Sequence, residues 1–519
     1  MNKCRKEFVP TGILLLLGSL AYVHLMALPA FEDEGSQLRW IWRIIEAGEW
    51  LQPLVDGKPL EAWPMVPLVR LGLPPLMAMR AVHVLAGMIA AVLTYRLALE
   101  LSDRDTAFVS GALLAICPYL VYLQRLALSD ILMCTAGIWV LLCVIRFVQS
   151  PSGRHSIEFA GGLVLAAFCK FPVGFVFLIA MPLALVLMPS DERRRLLRPP
   201  VLTKLLAAHA PVVLLTLVVI AVAIIRLRGG ELPGFGLQDF IGIGMGRYQD
   251  IAEVIGVPRS NLVHEIAAQL SWPVTVIGLI GIAAGALGSD WRQRWLIAVG
   301  AVPMLGIGLL AAFWFPRYLL FTLPPLVVAA VSGWQGLALR AGRLRQPVKI
   351  GVLAVCVGFM GHQSALIILD PAAARWSPLD RFQYFEGWGS GYGYPEAAKF
   401  VLETPEAPSM IYSLDGHSAY QLLTYLPAAW MGRVRPVFYG QGGEVLRSDD
   451  ARLENLFSRT PVWIIVPEQL LQGYMDSSFG RINSDQINLR QIAAFDKPRS
   501  RSRLAIYAVS RRRNLFDAP

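Results

Sequence analysis

The chain has 519 residues, of which 55% are hydrophobic and only 16% are charged, and its mean hydropathy is +0.51. Soluble domains average about 25% charged residues, so this composition excludes an ordinary soluble enzyme and is typical of a protein that crosses a membrane many times. The net charge of +10 falls largely in short loops between apolar runs. That placement is typical of cytoplasmic loops, and we expect no nucleic-acid partner.

Apolar runs along the chain predict about eleven membrane spans, since each span needs about 20 apolar residues. The first run follows a short basic N-terminus like a secretory signal, but it is too long for one, and we interpret it as a retained helix. The region 157–189 contains either two spans broken at Lys170-Phe171-Pro172 or one kinked helix with a re-entrant piece. The predicted spans lie near 9–30, 79–101, 106–122, 128–148, 157–170, 171–189, 203–226, 270–288, 295–313, 316–336 and 349–369.

Lysine and arginine alternate between the two sides of the predicted spans. With the N-terminus inside, the even-numbered turns are rich in basic residues, as expected of cytoplasmic loops. This alternation favours two spans in 157–189, because one span there would invert every later loop. The loops 31–78 and 227–269 and the tail 370–519 are then predicted to lie outside the cytoplasm.

The first outer loop begins with three consecutive carboxylates, Glu32, Asp33 and Glu34. Apolar and aromatic residues follow at helical spacing up to Gly48, which predicts an amphipathic helix in the membrane interface. A second short helix is predicted after Lys58-Pro59.

The tail alternates strand-like runs with helical patterns, which predicts a soluble α/β domain. The helical patterns cover 394–404 and 418–430. A glycine-rich stretch at 387–394 does not follow a clear strand, so we expect an ordered loop and no dinucleotide site. All six cysteines precede the tail without metal-site spacing, and we expect buried apolar side chains. The strand-like runs are 409–414, 434–439, 462–466 and 504–509.

Ionisable residues collect at four places on the predicted outer side, and each is a candidate because such groups are costly at membrane depth. Arginine and lysine can bind a phosphate, a carboxylate can deprotonate a hydroxyl, and a carboxylate with a histidine can hold a divalent ion. The candidates are Glu32, Asp33, Glu34, Arg39, Lys58 and Glu61 in the first loop, Arg125 and Asp130, Lys170, and Arg317-Tyr318, with His264 in the second loop.

Structural roles remain open for the same residues. Asp130 is suited to capping the fourth span, and Arg317 to anchoring its helix at the interface. Lys58 and Glu61 could form a surface pair three residues apart, and Lys170 could be an interface residue.

Several short motifs together resemble the C-type membrane glycosyltransferases, which share the GT-C fold. They follow the Asp33-Glu34 pair over about residues 30–330 and comprise Gly48-Glu49-Trp50-Leu51-Gln52-Pro53, Gly57-Lys58-Pro59, Arg125…Ser129-Asp130 and Arg317-Tyr318…Leu323-Pro324. Within that class, the chain is similar to the branch of bacterial lipid A aminoarabinose transferases and protein O-mannosyltransferases.

The resemblance implies a polyprenyl-phosphate sugar donor and catalysis at the periplasmic or luminal face. It makes Asp33 the expected base and Asp130 a second acidic residue needed for activity, with Glu34 a supporting candidate. It also implies a divalent metal ion of unknown identity at Glu61, with His264 as its partner. The residues expected to bind the donor phosphate are Lys58, Arg125, Arg317 and Tyr318.

The sequence therefore predicts a polytopic α-helical protein of the bacterial inner membrane. Residues 1–369 form the GT-C catalytic domain and 370–519 a periplasmic α/β domain. The expected activity is inverting transfer of a sugar to a lipid, glycan or protein acceptor, with membrane lipids as the surroundings. Two alternatives are a transporter or flippase of polyprenyl-linked sugars and a non-catalytic scaffold. The absence of an internal repeat argues against the first.

Overall fold

The computed structural model describes residues 2–55, 57–171, 173–228, 261–310, 315–387, 389–405, 408–413, 416–430, 432–436, 461–469, 471 and 487–511. The chain forms two compact units. The first contains residues 1–25, 44–226 and 260–377, and the second contains 26–43, 227–259 and 378–519. Most of the predicted second outer loop, residues 229–260, lies outside the described residues.

Helices make up the first unit and accompany a sheet in the second. In chain order the helices are α1 (Asn2–Ser19), α2 (Glu32–Ala47), α3 (Gln52–Val55), α4 (Met65–Arg70), α5 (Pro75–Leu101), α6 (Arg104–Ala115), α7 (Pro118–Leu123), α8 (Ser129–Gln149), α9 (Gly153–Cys169), α10 (Ala180–Leu187), α11 (Ser190–Leu196), α12 (Pro199–Arg228), α13 (Leu262–Leu270), α14 (Trp272–Ala286), α15 (Trp291–Leu310), α16 (Leu323–Arg340), α17 (Arg345–Leu369), α18 (Pro378–Arg381), α19 (Tyr394–Glu403) and α20 (Gly416–Leu423). Two longer 3₁₀ helices cover Val173–Ile179 and Pro316–Thr322.

Six helical segments of the described chain are long and apolar enough to cross a membrane. A seventh results if α13 and α14, which are bent by 112°, form one broken span. Helices also occupy the other predicted spans, but they are shorter, interrupted or less apolar. The predicted third span, for example, breaks between α6 and α7 because Pro118 holds Cys117 in an extended conformation. The count of about eleven spans stays a prediction.

The region 157–189 contains two helical segments. Helix α9 ends at Cys169, and Lys170 has a non-helical backbone with φ −161° and ψ 84°. A 3₁₀ helix over Val173–Ile179 then leads into α10. The helix therefore ends at the predicted break, where a lysine lies at the junction of two apolar helices, and the number of spans in this region stays a prediction.

Close helix packing in the first unit depends on small residues. A Cβ atom at Gly333 of α16 would lie 1.9 Å from the carbonyl oxygen of Gly281 in α14. Small residues at helix interfaces let backbones approach closely within a membrane.

The second unit contains a five-stranded sheet in the order β2-β1-β3-β5-β4. Strand β1 pairs in parallel with β2 and β3, whereas β5 pairs antiparallel with β3 and β4. The strands are β1 (Met410–Ser413), β2 (Val434–Pro436), β3 (Val462–Pro467), β4 (Ile487–Asp496) and β5 (Arg503–Arg511). Buried side chains from the sheet and from α19 and α20 form one hydrophobic core.

The structure confirms the predicted α/β tail. Helix α19 and strands β1, β3 and β5 occupy predicted positions. The predicted helix 418–430 is shorter, since α20 ends at Leu423 and a 3₁₀ turn covers Ala428–Trp430. Strand β4 was not predicted, because this edge strand mixes polar and apolar residues and has a register shift between Gln491 and Ala493 that interrupts the two-residue alternation.

Candidate active site

The acidic triplet forms the first turn of α2, and Glu34 stabilises that turn. Its side chain is fully buried, and Glu34 Oε2 accepts a hydrogen bond of 2.8 Å from the backbone N–H of Phe31. A glutamate at the third helical position that reaches back to the residue before the helix is half of a capping box. The Asp33 side chain in the same turn is half-buried. Glu34 therefore caps the helix, and this structural role distinguishes it from Asp33.

Helix α2 is held by the tail within the second unit. A Cβ at Gly35 would lie 2.8 Å from the backbone nitrogen of Gln421, so only glycine allows α20 to approach this closely. Gln421 Nε2 donates to the carbonyls of Ala30 at 3.1 Å and Gly389 at 3.0 Å. The backbone N–H of Glu32 also donates to Gly389 O, at 3.1 Å. Residues 26–43 therefore pack with the tail, whereas the predicted domain division at 369/370 stays a prediction.

A partly buried ion pair lies in the first unit. Lys170 Nζ donates to Asp130 Oδ1 at 2.8 Å, and the two side chains are 15% and 6% exposed. The same Nζ lies 4.4 Å from the centre of the Tyr318 ring. Lys170 was a candidate in the sequence but had not been assigned to the site. An ionisable side chain between two apolar helices is costly at membrane depth, and this feature could have indicated that Lys170 belongs to the site.

Arg317 lies against the same tyrosine. It is 7% exposed, and its guanidinium carbon lies 5.5 Å from the centre of the Tyr318 ring and 5.4 Å from that of Phe315. Both distances suit cation–π contacts. Arg317 and Lys170 thus share one aromatic neighbour, which brings two cations from distant parts of the sequence together.

Glu61 connects this pair to the first loop. Its side chain is fully buried, and Oε1 accepts from the backbone N–H of Ser129, directly before Asp130. Glu61 Oε2 lies 3.8 Å from Lys58 Nζ. The N–H of Phe171 also donates to the carbonyl of Gly57 at 2.7 Å.

We call the connected set Lys58, Glu61, Asp130, Lys170, Arg317 and Tyr318 the cationic cluster. It contains three cationic side chains and two carboxylates. The structure therefore brings together four residues that the sequence proposed for catalysis or phosphate binding, and it adds Lys170.

Arg125 has a different environment. It is fully buried, and its Nη1 donates to the carbonyl of Ile367 at 2.5 Å, near the end of α17. Nη2 donates to the carbonyls of His24 at 2.8 Å and Val23 at 3.3 Å. These contacts satisfy backbone groups, and the phosphate-binding role of Arg125 stays a prediction.

The two residues predicted to bind a metal lie in unlike settings. Glu61 is engaged by Ser129 and Lys58, whereas His264 is exposed in the first turn of α13. Over the described ranges of the chain, no group of three or more His, Cys, Asp or Glu side chains could hold a metal ion. The described residues do not supply such a ligand set, and we derive no reaction step through a metal.

The chain is similar to one protein family model and to several solved structures. The family model of dolichyl-phosphate-mannose-protein mannosyltransferases matches residues 56–225. Among solved structures, apo ArnT from Cupriavidus metallidurans is similar with a TM-score of 0.58 and 14% identity, over 98% of each chain. The chain has the GT-C fold. ArnT bound to undecaprenyl phosphate is similar too, with a TM-score of 0.58 and 12% identity over 96% of this chain and 97% of that one.

A third similar structure is the oligosaccharyltransferase of Archaeoglobus fulgidus in complex with Zn and sulfate. Its TM-score is 0.57 at 11% identity, over 95% of this chain and 73% of that one. No curated protein sequence matches the chain. The GT-C fold that the sequence resemblance implies is confirmed. Identities of 11–14% establish the fold alone.

Proposed function

We propose that the protein is an inverting glycosyltransferase that moves a sugar from a polyprenyl-phosphate donor to a hydroxyl of a lipid, glycan or protein acceptor. The observation that carries this proposal is the cationic cluster, in which Lys170 and Arg317 lie against Tyr318 in a membrane-spanning unit. A lipid-linked phosphate presents its negative charge next to apolar helices, and buried cations are suited to bind it there.

The cluster would act mainly on the leaving group. Negative charge grows on the phosphate oxygen as its bond to the sugar breaks, and fixed positive charges stabilise that transition state more than the ground state. Asp130 fixes Lys170 through a 2.8 Å hydrogen bond. We therefore assign Asp130 to positioning the ammonium group and Lys58, Lys170 and Arg317 to the phosphate.

The reaction is a single displacement. The acceptor oxygen forms a bond to the anomeric carbon while the bond from that carbon to the phosphate oxygen breaks, and the electron pair leaves with polyprenyl phosphate. Attack opposite the leaving group inverts the anomeric configuration. We assign the acceptor proton to Asp33, by the sequence resemblance and because Glu34 caps its helix.

We further propose that the reaction takes place at the periplasmic face of a bacterial inner membrane. The support is the alternation of Lys- and Arg-rich loops, which assigns the loop after α1 and the tail to the non-cytoplasmic side. The undecaprenyl phosphate in the ArnT complex supports a donor of that class.

Transfer by the purified protein tests this function. The protein would be reconstituted with a panel of undecaprenyl-phosphate sugars and membrane extracts as acceptors, and glycosylated products would be detected by mass spectrometry. The wild-type protein should form product, and Asp33→Asn should lower turnover by about 10²–10⁴-fold. Asp105→Asn, a change at an exposed residue of α6, is the matched control.

Two outcomes would contradict the proposal. Near-normal turnover by Asp33→Asn would remove this residue as the base. Movement of the lipid-linked sugar across a vesicle membrane, with no product from any donor, would instead favour the transporter.

A further inference from the structure

Helix α2 presents two different faces. Gly35 and Arg39 face the tail within the second unit: Gly35 lies against the α20 backbone, and Arg39 Nη1 donates to Tyr420 Oη at 3.2 Å. Asp33, Gln37 and Trp40 are spaced by four and then three residues, so they project from another side of the helix. Two polar side chains therefore share a face with the proposed base.

These two side chains are buried, and the described residues offer their polar atoms no hydrogen-bond partner. Gln37 is 1% exposed, and neither its Oε1 nor its Nε2 has a partner in the part of the chain that the structure describes. Trp40 is 7% exposed, and the same holds for its Nε1. Buried polar groups without partners cost folding free energy, and an apolar side chain of similar size would avoid that cost.

The chemistry of the two groups indicates a ligand. A carboxamide both donates and accepts, an indole N–H only donates, and a hydroxyl group can pair with each of them. A phosphate could accept from the N–H groups but could not donate to the carboxamide oxygen, so a partner that both donates and accepts is favoured. A sugar presents several hydroxyl groups on a ring that can also stack on an indole.

Resting on the proposed function, we propose that Gln37 and Trp40 bind hydroxyl groups of a glycosyl unit next to Asp33 and so determine which sugar is accepted. The sugar could belong to the donor or to a glycan acceptor, since both present the same chemistry. An active site built to bond a hydroxyl rejects an analogue that lacks it, because its polar groups are then left unpaired.

Size-matched variants separate binding from packing. Gln37→Met removes the amide and keeps the chain length, and Trp40→Phe removes the indole N–H and keeps an aromatic ring. Glu46→Gln, at an exposed position near the end of the same helix, is the control. Binding of undecaprenyl phosphate carrying mannose, glucose or 4-amino-4-deoxyarabinose would be compared with binding of bare undecaprenyl phosphate by native mass spectrometry.

If the sugar belongs to the donor, the wild-type protein should bind at least one sugar-loaded lipid more tightly than bare undecaprenyl phosphate. Gln37→Met should reduce the ratio of these two affinities about tenfold, which corresponds to the loss of one hydrogen bond. For an acceptor sugar, the donor preference should persist and the KM for the glycan acceptor should rise about tenfold instead. Either result supports the proposal, and an unchanged preference together with an unchanged KM overturns it.

Thermal unfolding gives an independent readout. Gln37→Met should raise the Tm, because it removes a buried amide that has no hydrogen-bond partner among the described residues. A purely structural glutamine would lower the Tm on replacement and leave both substrate measurements unchanged. If the wild-type protein transfers no sugar at all, the proposed function is wrong. If the wild-type protein transfers sugar and Gln37→Met leaves that transfer unaffected, only the inferred role of Gln37 is wrong.

Discussion

At the scale of single residues, Glu61 determines the geometry around Asp130. Its carboxylate accepts from the N–H of Ser129, which begins α8, and it also lies 3.8 Å from Lys58 Nζ. One buried carboxylate thus satisfies a helix start and neutralises a lysine. Because Asp130 follows Ser129 directly, the position of Asp130 depends on this contact.

Replacing Glu61 should therefore affect stability before chemistry. Glu61→Ala should lower the free energy of unfolding by about 2 kcal/mol, because the buried Ser129 N–H loses a charged acceptor. Glu61→Gln keeps an acceptor oxygen and should retain most of that stability. Thermal unfolding in detergent would compare the two variants, and equal stability of both with the wild-type protein would contradict the contact.

The same variants bear on the predicted metal ion. Elemental analysis of the purified protein would measure bound zinc, manganese and magnesium. A stoichiometric ion that is lost in both Glu61→Gln and His264→Ala would establish the site predicted from the sequence. An ion retained in both variants would place it elsewhere.

At the scale of elements, two segments meet at the cationic cluster. The turn before Lys58 contacts the segment after α9, where the N–H of Phe171 donates to Gly57 O. Gly57 has φ +77°, and a Cβ there would lie 2.7 Å from the carbonyl oxygen of Phe171. This glycine is needed both for its left-handed backbone and for the close approach, and Lys58 and Lys170 flank the contact.

Gly57→Ala should consequently reduce sugar transfer more than the same substitution at another glycine of positive φ. The matched control is Gly48→Ala, since Gly48 has a similar φ of +70° but open space around it. Each variant should lose about 1–2 kcal/mol of stability from backbone strain. Only Gly57→Ala should also displace the two lysines and lower turnover, and equal turnover in the two variants would contradict this.

Local patterns in the sequence predicted some of these elements. The helical spacing of α2 and its end before Gly48 were visible, as were the strands whose apolar residues run continuously, such as β3. The partners of those elements were not visible. Lys170 and Asp130 lie 40 residues apart, and Gln421 contacts Ala30 across 391 residues. The periodicity of the sequence does not predict such contacts, because they arise from packing between distant segments.

At the scale of the whole molecule, the proposed function depends on cations that lie among apolar helices. The cationic cluster carries more positive than negative side chains within the membrane-spanning unit. Ionisable groups in such surroundings are costly, and cations there are suited to bind a lipid-linked phosphate. The GT-C fold is used by proteins with different substrates, so the chemistry of this cluster carries the functional argument.

Affinity for undecaprenyl phosphate tests this central claim most directly. Its dissociation constant would be measured for the wild-type protein, Lys170→Met and Arg317→Gln, with Arg340→Gln at an exposed position as the control. Thermal unfolding would check that each variant folds. We predict about tenfold or greater weakening for both cluster variants and none for the control. Wild-type affinity in folded Lys170→Met and Arg317→Gln would contradict the account.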